Sequence, residues 1–277
     1  MSIVTMNFES QYLNSNHEIS IILPNKPRGI SPKDYYGGQK RYKVLWLLHG
    51  TFGDHSDWLR RTNIELYACE KDLIVVMPSA LNSNYSNWDK CMMGYGMFDY
   101  LTEELMPLIY NWFPASDKRE DNFIAGLSMG GRGTIKYAVN HPEKFAAAAV
   151  LSAAPEDLHE LTIEYLQLDN PFSHRMKGMV ENAGGLEAFR NSNENVWDII
   201  DSLAKTGKLP RLLFACGKED TMIYDNLNKF KKHADEIGLK AEYFILDGYR
   251  HEWRFWDLAI QRALEFFGLE DSGASPY

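Results

Sequence analysis

The chain has 277 residues, 45% of them hydrophobic, so it can build one large core or two small ones. With 38 acidic against 29 basic side chains the net charge is −9, which argues against a nucleic-acid partner held by excess positive charge. The three cysteines form no C-x-x-C pair, and no stretch approaches the roughly 18 apolar residues that span a bilayer, so neither a disulfide framework nor a membrane segment is signalled. The opening "MSIVTMNFESQYLNSNHEIS" has no basic region followed by an apolar core, so no signal peptide is expected. Free thiols and a cytoplasmic location follow as expectations.

Taken in chain order, the first 24 residues alternate polar and apolar side chains and predict edge strands in a hairpin. Residues 25–41, "NKPRGISPKDYYGGQKR", read as a polar loop marked by glycine and proline. "YKVLWLLHG" is then a continuous apolar run, as expected of a strand buried on both faces. Residues 72–78, 122–128, 145–152, 211–217 and 241–248 repeat that style. Between the runs lie helical periods. Met97, Leu101, Leu105, Leu108 and Trp112 share one face, as do Ile223, Leu227, Phe230, Ala234 and Ile237 ahead of Gly238. The last helix carries Trp253, Trp256, Ile260, Leu264 and Phe267. Buried strands alternating with amphipathic helices predict a mostly parallel central sheet with helices on both faces. Residues 155–208 exceed what one crossover helix needs and predict a helical insertion, a lid or pocket wall over the strand ends.

One stretch carries chemistry. In "DNFIAGLSMGGRG" a strand ends at Ser128, boxed by Gly126 and Gly130, and a helix starts at Met129. Strand, sharp turn and helix are the setting of a nucleophile elbow. A serine hydroxyl needs a base and an acid to orient that base. Of eight histidines only His251 combines a late position with a loop after a strand. The loop after the strand at 211–217 offers Asp220 as the acid, with Glu219 as its main rival and Asp225 in reserve. Asp247 is weaker, since it ends the strand that delivers His251. The oxyanion donors are expected from the backbone N–H groups of Met129 and Thr51, with Gly50 letting the chain turn in close. His49 reads as a hydrogen-bonding scaffold at that turn. Asp54, His55 and Asp57 lie close together, but no H-E-x-x-H or cysteine pair supports a metal site there.

"LLHGTFGDHSDW", "MPSALNSNYSNW", "DYLTEELMPLIYNWFP", "IAGLSMGGRGTIKYAVNHPEKFAAAAVLS", "FACGKEDTMIYDN" and "GYRHEWRFWD", in that order over about residues 40–267, resemble the esterase D branch of the α/β-hydrolases. The tributyrin esterase group with its cinnamoyl (feruloyl) esterases is similar. The resemblance implies an α/β-hydrolase fold over 1–277 as one domain. It implies Ser128 as nucleophile, Asp220 as acid, His251 as base, and Thr51 and Met129 at the oxyanion hole. The expected reaction is serine carboxylesterase chemistry on short-chain acyl or cinnamoyl esters of small molecules or sugars. It needs no cofactor, metal, nucleic acid or membrane, and homo-oligomerisation stays open. Acyl transfer and S-formylglutathione hydrolase-like thioester cleavage are the alternatives; a non-catalytic binding role is disfavoured because all three triad positions are filled. S-formylglutathione hydrolases of this superfamily carry a "GAGFY"-like stretch and a cysteine after the first oxyanion loop. Here the region reads "YSNWDKCMMGYGMFDY", and Phe52 follows Thr51. His49, Trp58, Trp88, Tyr95 and Trp253 are expected as substrate-binding residues.

Overall fold

Continuous apolar runs become the central strands of a sheet because each must bury both faces. The computed structural model describes residues 2–272. An antiparallel hairpin of β1 (Ser2–Ser10) and β2 (Ser15–Leu23) leads through a short helix α1 (Pro32–Tyr36) to β3 (Val44–Leu48). Helices α2 (Asp57–Arg61) and α3 (Ile64–Glu70) precede β4 (Ile74–Pro78). A small ribbon of β5 (Asn87–Trp88) and β6 (Tyr95–Gly96) is followed by α4 (Met97–Asp99), a π-helical turn at Tyr100–Leu105 and α5 (Met106–Trp112). Then come β7 (Asn122–Leu127), α6 (Met129–Asn140) and β8 (Ala147–Leu151). Four helices follow, α7 (Ile163–Leu166), α8 (Pro171–Ala183), α9 (Leu186–Arg190) and α10 (Val196–Leu203), ahead of β9 (Arg211–Gly217). The chain closes with α11 (Tyr224–Ile237), β10 (Ala241–Leu246) and α12 (Trp253–Phe266). Among the described residues, no helix is long and apolar enough to cross a membrane.

The main sheet runs β1-β2-β4-β3-β7-β8-β9-β10. Only β1–β2 and β2–β4 pair antiparallel; the other neighbours are parallel. Side chains alternate across the pleat, so β3 feeds both cores at once. Val44, Trp46 and Leu48 enter the core that also holds α6 and α11, while Leu45 and Leu47 enter the one beneath α12. Each such side chain contributes roughly 1.5–3 kcal/mol on burial.

Four details depart from the sequence expectation. β2 is no edge strand, since it lies between β1 and β4 and is largely buried. β10 is apolar yet only half-buried, because it ends the sheet and pairs with β9 alone. Residues 25–41 hold a helix, α1, capped where Ser31 accepts from the Asp34 N–H. Trp112 points outward at 68% exposure, and Ile109 takes the inward place. The cause is the π turn, where Met106 N–H bonds Leu101 O rather than the carbonyl four residues back. That step shifts the inward face to Met97, Leu101, Leu105 and Ile109, all fully buried. Pro107 has no N–H to offer Glu103, which breaks the α ladder at the same point.

His17, on β2, is buried edge-on to the Tyr100 ring at 4.8 Å, and its Nε2 has no hydrogen-bond partner among the described residues. Burial pushes its pKa from 6.5 down to about 4; a backbone contact at Ser79 opposes this, and the charges of His55 and His49 add to it. The folded pKa is below the unfolded one, so the unfolded chain takes the proton first. Stability is therefore lost as pH falls below the unfolded value and levels off near the folded one, by about 3 kcal/mol in all. Urea midpoints measured across that window should fall less for His17→Phe than for the wild type. Equal slopes would refute the assignment.

Candidate active site

The strand β7 ends and α6 begins with a single residue between them. Ser128 has φ 53° and ψ −115°, a left-handed position that costs a non-glycine residue about 1–3 kcal/mol. Its neighbours hold it there: Ser128 N–H donates to Leu151 O at 2.8 Å, and Arg132 N–H donates to Ser128 O at 3.0 Å. A Cβ on Gly126 would stand 2.5 Å from Gly130 O, and one on Gly130 would stand 2.5 Å from Leu48 O. Any side chain at either place would push α6 away from β7 and β3. The glycines are there for close approach, and the serine carries the unusual backbone angle.

Ser128 Oγ lies 2.9 Å from His251 Nε2, and His251 Nδ1 lies 2.8 Å from Asp220 Oδ2. His251 sits in the loop between β10 and α12, and Asp220 in the loop between β9 and α11. The Asp220 side chain is fully buried, and its Oδ1 also accepts from the Met222 N–H at 3.2 Å. A buried acceptor-only carboxylate fixes the proton on His251 Nδ1 and leaves Nε2 free to accept from the serine. Trp256 stands edge-on to the imidazole at 5.0 Å, and its Nε1–H donates to Ser152 Oγ at 3.0 Å. Glu219 is exposed, Asp225 lies on α11, and Asp247 pairs with Lys218 at 2.7 Å.

Met129 opens α6, so its N–H has no carbonyl one turn back. Thr51 lies in the turn after β3. Neither N–H has a partner among the described residues. The next amide, Phe52 N–H, is taken by Asn82 Oδ1 at 2.8 Å. His49 is buried; Nδ1–H donates to Gly50 O at 2.7 Å and Nε2 accepts from Ala80 N–H at 2.8 Å. Burial lowers its pKa, so it braces the turn as a neutral ring. Ser128, Thr51 and Met129 open into a cavity of about 700 Å³.

A family model described as "Putative esterase" matches residues 10–267. The chain belongs to this esterase family. The fluorophosphonate-binding serine hydrolase F of Staphylococcus aureus is 31% identical, over 96% of this chain and 98% of that one, with a TM-score of 0.80. The S-formylglutathione hydrolase of Staphylococcus aureus is also 31% identical over the same shares, with a TM-score of 0.78. An acetyl esterase of Caldicellulosiruptor saccharolyticus is 28% identical, over 96% of this chain and 98% of that relative. The fold is that of the α/β-hydrolases, and the protein is a serine carboxylesterase.

The structure does not bring the expected substrate-binding residues of this esterase to the cavity wall. Trp58 is buried in the core with its Nε1–H on Leu48 O at 3.1 Å, and Trp253 packs edge-on against it at 5.4 Å. Trp88 donates Nε1–H to Ser83 O at 2.8 Å, while Tyr95 is buried with no partner for its hydroxyl among the described residues. His49 is walled in by its own two hydrogen bonds. These rings were plausible as wall or as core, and core packing took them. Asp54 accepts from Ser56, His55 bonds Ser20 and Asp57 pairs with Arg61.

Most of the wall comes from the segment between β8 and β9, including Leu158, Tyr165, Phe172, Arg175, Met176 and Trp197. Met222 and Ile223 add to it from beside Asp220. Two ion pairs tie this segment to α6: Arg132 to Glu156, and Lys136 to Glu194 at 3.0 Å. Lys136 is only 2% exposed and also donates to Asn84 O and Ser86 Oγ. Arg132 had a signal, since it stands one helical turn after Ser128. The others had none, because their place depends on how the insertion folds back.

Proposed function

We propose that Ser128 is the nucleophile, His251 the general base and acid, and Asp220 the orienting carboxylate of an esterase for short acyl groups. The carrying observation is the unbroken hydrogen-bond chain at the elbow, 2.9 Å from serine to histidine and 2.8 Å from histidine to aspartate. Ser128 Oγ attacks the ester carbonyl while His251 Nε2 takes its proton. The negative charge that develops on the carbonyl oxygen meets the Thr51 and Met129 N–H groups, already oriented and without other partners. His251 returns the proton to the departing alcohol, and an acyl group stays on Ser128. Water then enters, loses a proton to His251, and releases the acid.

The likeness to a protein named acetyl esterase supports a short acyl group, acetyl to butyryl. The cavity of about 700 Å³ is in the range of drug-sized ligand sites and would take the alcohol, of sugar size. A second reading has an aromatic acyl group, because Tyr165, Phe172 and Trp197 line the same wall. Rates on p-nitrophenyl acetate, butyrate and octanoate, methyl ferulate and an acetylated sugar separate the two. We expect kcat/KM for acetate and butyrate to exceed that for octanoate and ferulate by roughly 10-fold or more, the scale of misfit in an acyl pocket. A preference for ferulate would move the assignment to the aromatic reading. No cleavage of any of them would overturn both.

A further inference from the structure

Three cations line the cavity, and two are already neutralised. Arg132 is paired with Glu156, and Lys229 with Glu160. Asp157, the remaining carboxylate of the lining, is turned toward the His159 N–H at 2.9 Å. Arg175, on α8, is the exception. No carboxylate lies within 4.0 Å of its guanidinium among the described residues. Its Nη1 reaches Thr51 Oγ1 at 3.1 Å and Met129 Sδ at 3.4 Å, a hydroxyl and a thioether. Its ring neighbour, Phe172, is 5.8 Å away. The guanidinium therefore sits on the side chains of the two residues whose N–H groups flank Ser128. It has donors to spare on the cavity side.

We infer that Arg175 binds a carboxylate carried by the substrate, so that the preferred ester is an anion rather than a neutral molecule. This rests on the esterase reading of the same cavity. A half-buried charge without a counter-ion is unfavourable in the empty site, and an incoming carboxylate relieves that cost. The burden shows on Arg175 itself, where burial and then the charge of Arg132, only partly opposed by Tyr165 and the more distant Glu156, pull its pKa down to about 10. The planar fork matches a carboxylate in two parallel hydrogen bonds. A doubly charged phosphate would need a second free cation, and Arg132 and Lys229 are both taken. The carboxylate can belong to the acyl part or to the alcohol part of the ester.

Matched substrate pairs test this. Monoethyl succinate against ethyl butyrate places the charge on the acyl side, and 3-acetoxybenzoate against phenyl acetate places it on the alcohol side. The readout is the ratio of kcat/KM, anionic over neutral, in the wild type and in Arg175→Met, Arg175→Gln and Arg175→Lys. Loss of a hydrogen-bonded charge pair should lower that ratio roughly 10- to 100-fold in the methionine and glutamine variants, in one arm or both. Arg175→Lys should retain part of it. The arm that responds says which half of the ester carries the charge. A ratio equal to the wild type's in both arms overturns the inference, whether the rates themselves hold or fall together. A common fall would make Arg175 a strut between α8 and the turn after β3, and melting temperatures would show it. Cleavage of ethyl butyrate and phenyl acetate reports on the esterase reading separately, since those substrates carry no charge for Arg175 to find.

Discussion

Ser128→Ala should lower kcat by about 10⁴-fold or more on any ester the enzyme cleaves, a loss of about 5 kcal/mol of transition-state stabilisation. In the proposed mechanism, removing Oγ takes away the atom that forms the acyl-enzyme and leaves His251 a base with no nucleophile to deprotonate. The amides of Thr51 and Met129 stay in place, so a residual rate above that in water is expected. The fold should survive, because Ser128 is held by its backbone bonds to Leu151 and Arg132 and not by its hydroxyl. Ser128→Gly makes the same point from the other side. It is equally inactive, yet it removes the strain at φ 53° and should melt higher than Ser128→Ala. Turnover by Ser128→Ala within tenfold of the wild type would end the elbow assignment.

Asp220→Asn should cost nearly as much, about 10³- to 10⁴-fold in kcat, while Glu219→Gln changes it by less than about threefold. The asymmetry follows from the two environments. Asp220 is buried and accepts from His251 Nδ1–H at 2.8 Å. An asparagine there can donate to Nδ1 instead and drive the proton onto Nε2. The imidazole would then face Ser128 with a proton where it needs a lone pair. Glu219 is exposed, and only its backbone is engaged: its N–H donates to Tyr249 O and its carbonyl accepts from the Thr221 N–H, both at 3.0 Å. Steady-state rates of the two variants on one good ester decide it. The opposite ranking would move the acid by one residue.

The two predictions rest on positions legible in the sequence, for a reason that is local. A strand buried on both faces writes itself as an apolar run, and the residue after such a run stands at the sheet's edge. Ser128, Asp220 and His251 each follow a run, so order along the chain implied nearness in space. Even the false notes are instructive. β10 carried the same apolar run as β7, but it ends the sheet, and a run cannot say how many neighbours a strand has. Trp112 fitted a 3.6-residue period that the chain abandons at the Tyr100–Leu105 turn. The wall was harder. Trp58, Trp88, Tyr95 and Trp253 are large aromatic side chains, and a large aromatic suits a core as well as it suits a pocket wall. The residues that do line the cavity, such as Arg175 and Met176, lie on amphipathic helices of the insertion. Their pattern says that one face is covered without saying by what.

That arrangement divides labour between two parts of the chain with different histories open to them. The proposed reacting atoms hang from loops of the sheet, while most of the cavity wall beside them comes from an appendage that contributes none of them. Selectivity can thus drift, or be engineered, by exchanging the stretch between β8 and β9, with the chemistry inherited unchanged. The exchange has one toll. Lys136 and Arg132 on α6 lean on Glu194 and Glu156 of that stretch, and stranding a buried ammonium costs about 3–5 kcal/mol. A graft that keeps these two acids, or removes both their partners, keeps the scaffold that evolution would have to keep as well.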